Sequence, residues 1–298
     1  MRESAKREML TELTPSWFAL LICPQCTGPL ICEETDLVCS RGHRFPHRQG
    51  RVYFQISEVA KASLNSSAGQ EMSQAYRQGN RWLQVLRRII SSEYFPGKAW
   101  RQAKKETLSR QPTLVLGSGV THYPNCIHLD LDDFPGVDVV ADGQRLPFAD
   151  QSLAGVVCEV VLEHVEQANR LIGEVFRVLQ PGGSVFMIVP FLFPYHGHPS
   201  DYRRWSAEGL KADFSDFVEC EVGVHAGPCS AMVNLLSDWF ALVLGQSAGL
   251  GYVALKGFAT AILFPIKFLD AFLNRSPQAH RMAATLYIRA VKPPAQMV

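Results

Sequence analysis

Three groups of residues have the types and spacings that do chemistry. The run from Cys23 to His43 reads CPQCTGPLICEETDLVCSRGH, a CxxC, twelve intervening residues and a CxxxH. Thiolates and an imidazole are the donors of a closed tetrahedral zinc site, and CxxC lets two sulfurs of one tight turn reach the same ion. Cys23, Cys26, Cys39 and His43 are therefore the expected ligands, with Cys32 and His47 as spares. A second group is spread along the chain. At Gly117, Ser118 and Gly119 missing side chains let backbone N–H groups approach a ligand carboxylate. Asp130 is placed to accept from two ribose hydroxyls, and Asp142, followed by Gly143 and Gln144, suits an adenine amino group. In the third group, PFLFPYHGHPSDYRRWS gathers His196, His198, Asp201, Tyr202, Arg203 and Arg204 within nine residues. There His196 or His198 would deprotonate a hydroxyl, Asp201 would orient the imidazole, and an Arg would hold an anionic group. The competing reading is a rigid, Pro-bounded lid whose polar groups bond one another while Trp205 packs inward. With no further ligands nearby in sequence, a second metal on the two histidines is not expected.

These groups need elements to hold them. Apolar stretches at Leu20–Ile22, Leu30–Ile31 and Leu37–Val38 predict paired hairpins carrying the cysteine turns. So small a module, residues 1–56, cannot stabilise itself by burial, and a metal would supply what is missing. Residues 57–111 read as a connector followed by amphipathic helix, with Trp82, Val85, Leu86, Ile89 and Ile90 on one stripe. Nine Lys or Arg against Glu93 and Glu106 between Tyr76 and Arg110 make a basic face, read as solvated, with a phosphate-facing or membrane-facing surface as the alternative. From Thr113 onward seven β-type runs recur: TLVLG, CIHLDL, VDVVAD, LAGVVCEVV, SVFMIVP, VECEVGV and TLYIRAV. A helix marked by Val165, Leu171, Ile172, Val175, Phe176 and Leu179 lies between the fourth and fifth, ending at Pro181, Gly182 and Gly183. Strands alternating with helices predict a parallel α/β sheet whose ligands sit at the carboxyl ends of its strands. Only ten residues separate Leu116 from Ile127, so the first crossover helix is expected to be very short or absent.

The whole chain of 298 residues suits a main domain plus a smaller module. With 47% hydrophobic and 19% charged residues it can bury a substantial core, which excludes a disordered chain. Its 29 Lys and Arg nearly balance 28 Asp and Glu, leaving no global electrostatic footprint for nucleic acid. The charged start MRESAKREML has no secretory pattern, and four of the eight cysteines cluster at Cys23–Cys39 as metal ligands do in a reducing compartment, so a cytoplasmic address is expected. Ser230–Leu244 and Gly249–Leu269 are strongly apolar but interrupted by Asp238, Lys256 and Lys267. Buried helices or a peripheral membrane contact through 230–269 explain them better than a membrane span.

The stretches ADGQRLPFADQSLAGVVCEVVLEHV and RVLQPGGSVFMIVP resemble class I S-adenosylmethionine (SAM)-dependent methyltransferases of type 11 nearly position by position, over about 113–226 and again from 285. That resemblance implies a Rossmann-like, seven-stranded sheet over 112–298 with an apolar helical insertion at 228–280. It implies that SAM is held by Gly117, Ser118, Gly119, Asp130, Asp142, Gly143 and Gln144, with Glu159 lining the methyl-donor pocket. For His164 the resemblance implies cofactor contact, against a plain helix-start role. One departure is Val115, where the superfamily usually has an acid. The CPQC through GRVYF region resembles the zinc ribbon of a bacterial rRNA guanine methyltransferase and, more loosely, the small activator subunit of eukaryotic methyltransferases. The implied function is SAM-dependent methylation of a small or glycan-like, even lipid-linked, acceptor. The alternatives are an RNA methyltransferase using the ribbon for substrate, and a catalytically silent scaffold.

Overall fold

The computed structural model describes residues 15–33, 35–54, 98–197, 200–245 and 249–295. The expected connector at 57–75, the Trp82–Ile90 helix and His198 lie outside the described residues. Among those residues eleven strands form: β1 (Leu30–Cys32), β2 (Asp36–Cys39), β3 (Arg44–Arg48), β4 (Arg51–Tyr53), β5 (Thr113–Leu116), β6 (Ile127–Asp130), β7 (Val139–Val140), β8 (Leu153–Glu159), β9 (Leu179–Pro190), β10 (Val218–Ala226) and β11 (Thr285–Val291). They hydrogen-bond in the order β1-β2-β3-β4-β7-β6-β5-β8-β9-β11-β10.

The centre of this sheet, β7-β6-β5-β8-β9, is parallel, and β11 enters antiparallel between β9 and β10. Parallel strands covered on both faces read as continuous apolar runs. Leu114, Val115 and Leu116 accordingly are all buried, and Val115 completes the core at the position where an acid was expected. Strand order reverses at β5, which lies between β6 and β8, so the crevice of this Rossmann-like sheet opens at the tips of those strands. No helix intervenes between β5 and β6; Thr121 N donates to Ser118 O at 2.8 Å and the chain turns straight back.

The sheet does not stop at β7. Strand β4 pairs parallel to it, Val52 opposite Val139, and so carries the N-terminal hairpins onto the same sheet. A two-residue β7 would otherwise be an open edge. Leu21, Cys23, Phe45 and Phe148 share one buried cluster with Leu116, Leu129 and Val139, so module and main sheet have a common core.

Helix α1 (Ala99–Leu108) packs Ala103 against Val157, Phe186, Ile188 and Tyr287. Helix α2 (Ala168–Val178) buries Leu171, Ile172, Val175 and Val178. It ends before the Pro181–Gly183 stop that its sequence suggests, because Leu179 pairs with Leu153 and already belongs to β9. Pro181–Gly183 instead form an irregularity inside β9, made accessible by Gly182 at φ +76°. Helix α3 (Ala207–Asp213) is capped by Ser206, whose Oγ accepts from Gly209 N at 3.1 Å.

Between β10 and β11 lie α4 (Pro228–Val243), α5 (Gly249–Leu263), a 3₁₀ run at Phe264–Leu269 and α6 (Asp270–Leu273). Their polarity is inverted relative to a soluble helix pair. Ser230, Asn234, Ser237 and Asp238 of α4 are buried, whereas Leu235, Leu236, Trp239, Leu242 and Val243 are exposed. Polar contacts hold the layer together. Asp238 accepts from Lys256 Nζ at 2.9 Å and from the Tyr252 hydroxyl, and Thr260 Oγ1 donates to Ser237 Oγ at 3.0 Å. The buried Asp270 carboxylate accepts from Cys229 N at 2.8 Å, Ser230 N at 2.9 Å and Ser230 Oγ at 2.7 Å, capping the start of α4 from 40 residues away. Gly251–Leu273 is long and apolar enough to cross a membrane, by length and composition only.

Candidate functional site

The cysteine turns bring Cys23, Cys26, Cys39 and His43 together, with one donor atom of each within 4.8 Å of all the others. Cys26 Sγ lies 3.6 Å from Cys39 Sγ, and His43 Nδ1 lies 3.4 and 3.3 Å from the sulfurs of Cys23 and Cys39. A tetrahedron with Zn–S bonds of about 2.3 Å has edges of about 3.8 Å, so these donors fit a closed zinc site. Burial works against ionising Cys39. The backbone N–H groups of Arg41 and His43 and the neighbouring thiols nevertheless bring its pKa down to about 6. Cys32, whose Sγ faces Glu33 O, and His47, packed edge-on against Phe18, stand outside the cluster.

Three strand tips assemble the second group. After β5 the chain needs glycine twice. Gly117 has φ +68°, and a Cβ there would lie 2.3 Å from Val161 Cγ2; Gly119 has φ +52° with open space where its Cβ would be. At the tip of β6 the Asp130 carboxylate accepts from Gly119 N at 2.8 Å and Asp132 N at 3.1 Å, tying the glycine turn to the neighbouring strand. Burial pushes its pKa up against the pull of those amides. With the Leu131 amide also close by, acceptor capacity is left for at least one other donor. Beyond β7, Asp142 accepts from Gln144 N at 2.9 Å, while Gly143 packs close against Leu116 and Leu171. Between the tips, Ser118 Oγ is buried without a hydrogen-bond partner. An orphaned hydroxyl, an open glycine and spare carboxylate lone pairs fit a ligand that carries both a ribose and an amino-acid portion.

Glu159 ends β8, as expected, but in company the sequence did not announce. It accepts from Lys104 Nζ of α1 at 2.8 Å and from the Tyr123 hydroxyl at 2.7 Å, and Lys104 also bonds that hydroxyl at 2.9 Å. Lys104 and Tyr123 are thus site residues that sequence reasoning missed, since neither belongs to a recognisable motif.

In the loop after β9, the lid reading holds for two residues. Arg204 pairs with Asp201 and donates to Phe193 O at 3.2 Å and Pro194 O at 3.0 Å, and the largely buried Trp205 donates to Asp213 at 2.8 Å. Although burial opposes it, the Arg204 guanidinium and His196 N hold Asp201 at about 2. His196 Nδ1 lies 3.4 Å from Asp201 Oδ2 but makes no hydrogen bond there; Asp201 Oδ2 accepts from His196 N at 2.9 Å instead. An open cavity of ≈ 280 Å³ is lined by Tyr195, Asp201, Tyr202, Arg203 and Arg204. The expectation that no further ligand lies nearby is overturned for His196. Folding lays Glu163 and His164, from the turn after β8, against His196, with donor atoms of all three within 4.8 Å of one another. Sequence distance hid this, because 32 residues separate Glu163 from His196.

Residues 119–187 match the methyltransferase domain family model. An uncharacterized methyltransferase of Mycobacterium tuberculosis is 42% identical over 132 residues, 44% of this chain and 48% of that protein. The ubiquinone/menaquinone biosynthesis C-methyltransferase of Desulfotalea psychrophila is 43% identical over 49 residues, 16% of this chain and 20% of that one. The chain thus spans half or less of the length of these curated relatives. Among solved structures, phosphoethanolamine N-methyltransferase 2 of Haemonchus contortus, in complex with S-adenosyl-L-methionine, aligns with 84% of this chain and 62% of its own at 15% identity and a TM-score of 0.46. The segment holding Gly119, Asp130, Asp142, Gly143, Gln144 and Glu159 is the part of the chain with methyltransferase-domain sequence.

Proposed function

We propose that the chain is a SAM-dependent methyltransferase acting on a small or glycan-like acceptor presented at a lipid surface, with a structural zinc at Cys23, Cys26, Cys39 and His43. The observation carrying the enzymatic part is the Gly119–Asp130 link inside the matched segment, which joins the glycine turn to a carboxylate with acceptor capacity left over. In this reading the amides of the glycine turn and Ser118 Oγ hold the amino-acid portion of SAM, Asp130 its ribose, and Asp142 with Gln144 its adenine. Glu159, balanced by Lys104, lines the pocket without adding net charge beside a cation. Bound there, SAM supplies an electrophilic methyl, and the chain's own task is positioning, with His196 available to take a proton from an acceptor hydroxyl. Titration calorimetry tests this. SAM should bind the wild-type chain, and Asp130→Ala should weaken it at least about tenfold, as losing charged hydrogen bonds of about 1.5 kcal/mol or more requires. Absence of binding to the wild type would refute the reading.

Support for the lipid surface comes from the inverted helices. Trp239 is 60% exposed and Phe272 69%, on a layer whose polar side chains face inward. Apolar surface so presented is what a monotopic contact buries.

A further inference from the structure

We propose that Glu163, His164 and His196 form a second metal site, which takes a divalent first-row transition ion and presents it to the methyl acceptor. The inference rests on the methyltransferase reading only for what the ion does, not for its binding. Glu163 is 0% exposed, yet neither carboxylate oxygen has a hydrogen-bond partner. Leaving a carboxylate bare in the interior is costly, so a positive partner is called for. No Lys or Arg side chain among the described residues pairs with it. Two imidazoles do approach, with His196 Nε2 at 3.5 Å and His164 Nε2 at 3.9 Å from Glu163 Oε1.

The far side of the His164 ring points to a metal site rather than a proton-sharing cluster. His164 Nδ1 bonds the Ser200 carbonyl, which can only accept, so that nitrogen carries the proton and Nε2 offers a lone pair. His196 Nδ1 lies 3.4 Å from the Asp201 carboxylate outside hydrogen-bond geometry, and its Nε2 is likewise buried without a hydrogen-bond partner. Both Nε2 atoms thus face Glu163 Oε1; that of His164 offers a lone pair, and that of His196 is buried with no partner to satisfy it. An imidazole anchored through its other nitrogen to a carbonyl, as His164 is, has the outer support that metal-ligating histidines show. Two His and one carboxylate leave coordination positions free, the donor set of catalytic zinc and non-haem iron(II) sites. Edges in such a set are about 3.0–3.4 Å, so a contraction of about an ångström closes it.

The site sits beside the proposed donor pocket, because Val161, two residues before Glu163, packs on Gly117. An acceptor hydroxyl in an open position of the ion becomes more acidic. With its Nε2 on the ion, His196 is a ligand and no longer the base, so the hydroxyl proton leaves to water, the oxygen lone pair forms the new C–O bond, and the C–S bond breaks with its electron pair remaining on sulfur.

Metal-free full-length chain titrated with Co(II) tests the assignment. The cysteine site reports through thiolate-to-cobalt charge transfer, whereas the second should add weak visible bands without it. Glu163→Gln and His196→Asn should each bind one equivalent fewer than the wild type while keeping the charge-transfer band. Equal stoichiometry in wild type and both variants overturns the proposal. Should Glu163→Gln fail to fold, His196→Asn, on the loop after β9, gives the same readout. SAM calorimetry run alongside separates the two claims: a wild type that takes the extra ion but no SAM keeps the metal site and loses the methyltransferase reading.

Discussion

Gly117 shows how little freedom single residues have at the site. Its left-handed backbone and the Val161 methyl in its Cβ space both exclude a side chain, so Gly117→Ala should cost about 2 kcal/mol or more and displace the loop. A lowered melting temperature together with weakened SAM binding would bear this out; an unchanged melt would contradict it. His225 makes a different prediction. It is buried, with Nδ1 2.9 Å from Thr285 Oγ1 and its ring edge-on to Trp100. Burial, aided by the Lys104 charge, drives its pKa down to about 3. The unfolded chain, near 6.5, therefore takes up the proton first as pH falls. The stability from keeping this imidazole neutral is whole above about pH 6.5 and drains away between there and about 3, at up to about 1.4 kcal/mol per pH unit. Melting curves across that range should be flatter for His225→Gln than for the wild type. Residue chemistry of this kind was partly legible: Cys23, Cys26, Cys39 and His43 announce themselves by spacing, as do Gly119 and Asp130 by order. Glu163 did not, because in VVLEHV a buried acid and a surface acid look alike until something packs over them.

At the level of elements, β4 ties the small N-terminal module to the main sheet. If zinc staples the hairpins, stripping it with a chelator or introducing Cys26→Ser should free β4 from β7 and lower the melting temperature by about 5 °C or more. The exposed edge of β7 should then promote aggregation, readable by light scattering. A melt indifferent to chelator would show that burial alone holds the module. Strand positions from Thr113 onward were legible from apolar runs and the helix α2 from its stripe. The end of α2 was not. Pro181–Gly183 read as a helix stop, but pairing with β8 claimed Leu179 first, and a strand irregularity absorbed the proline and glycines.

For the molecule as a whole, the outward apolar face of α4 and α5 predicts behaviour at a lipid surface. The chain should co-float with anionic or neutral vesicles, and Leu235→Asp combined with Phe258→Asp should abolish flotation without lowering SAM affinity. A wild-type chain that stays in the aqueous phase would remove the lipid from the proposal. The apolar composition of 230–269 could not distinguish buried helices from a surface layer, since a helix that is apolar nearly all round satisfies both. Asp270, Asp238 and Ser237 made the choice by turning the polar side chains inward.

By itself the sequence determined what depends on neighbours along the chain: the cysteine spacing, the period-two and period-3.6 apolar patterns, the missing first crossover helix and the glycine turn followed by two acids. Tertiary structure decided what depends on encounters between distant segments. It joined the N-terminal hairpins to the sheet, gave Glu159 the Lys104 ammonium as partner, and set Glu163 and His164 against His196. The reason is that local pattern reports which face a residue prefers. Only the packed chain determines which other residue that face meets.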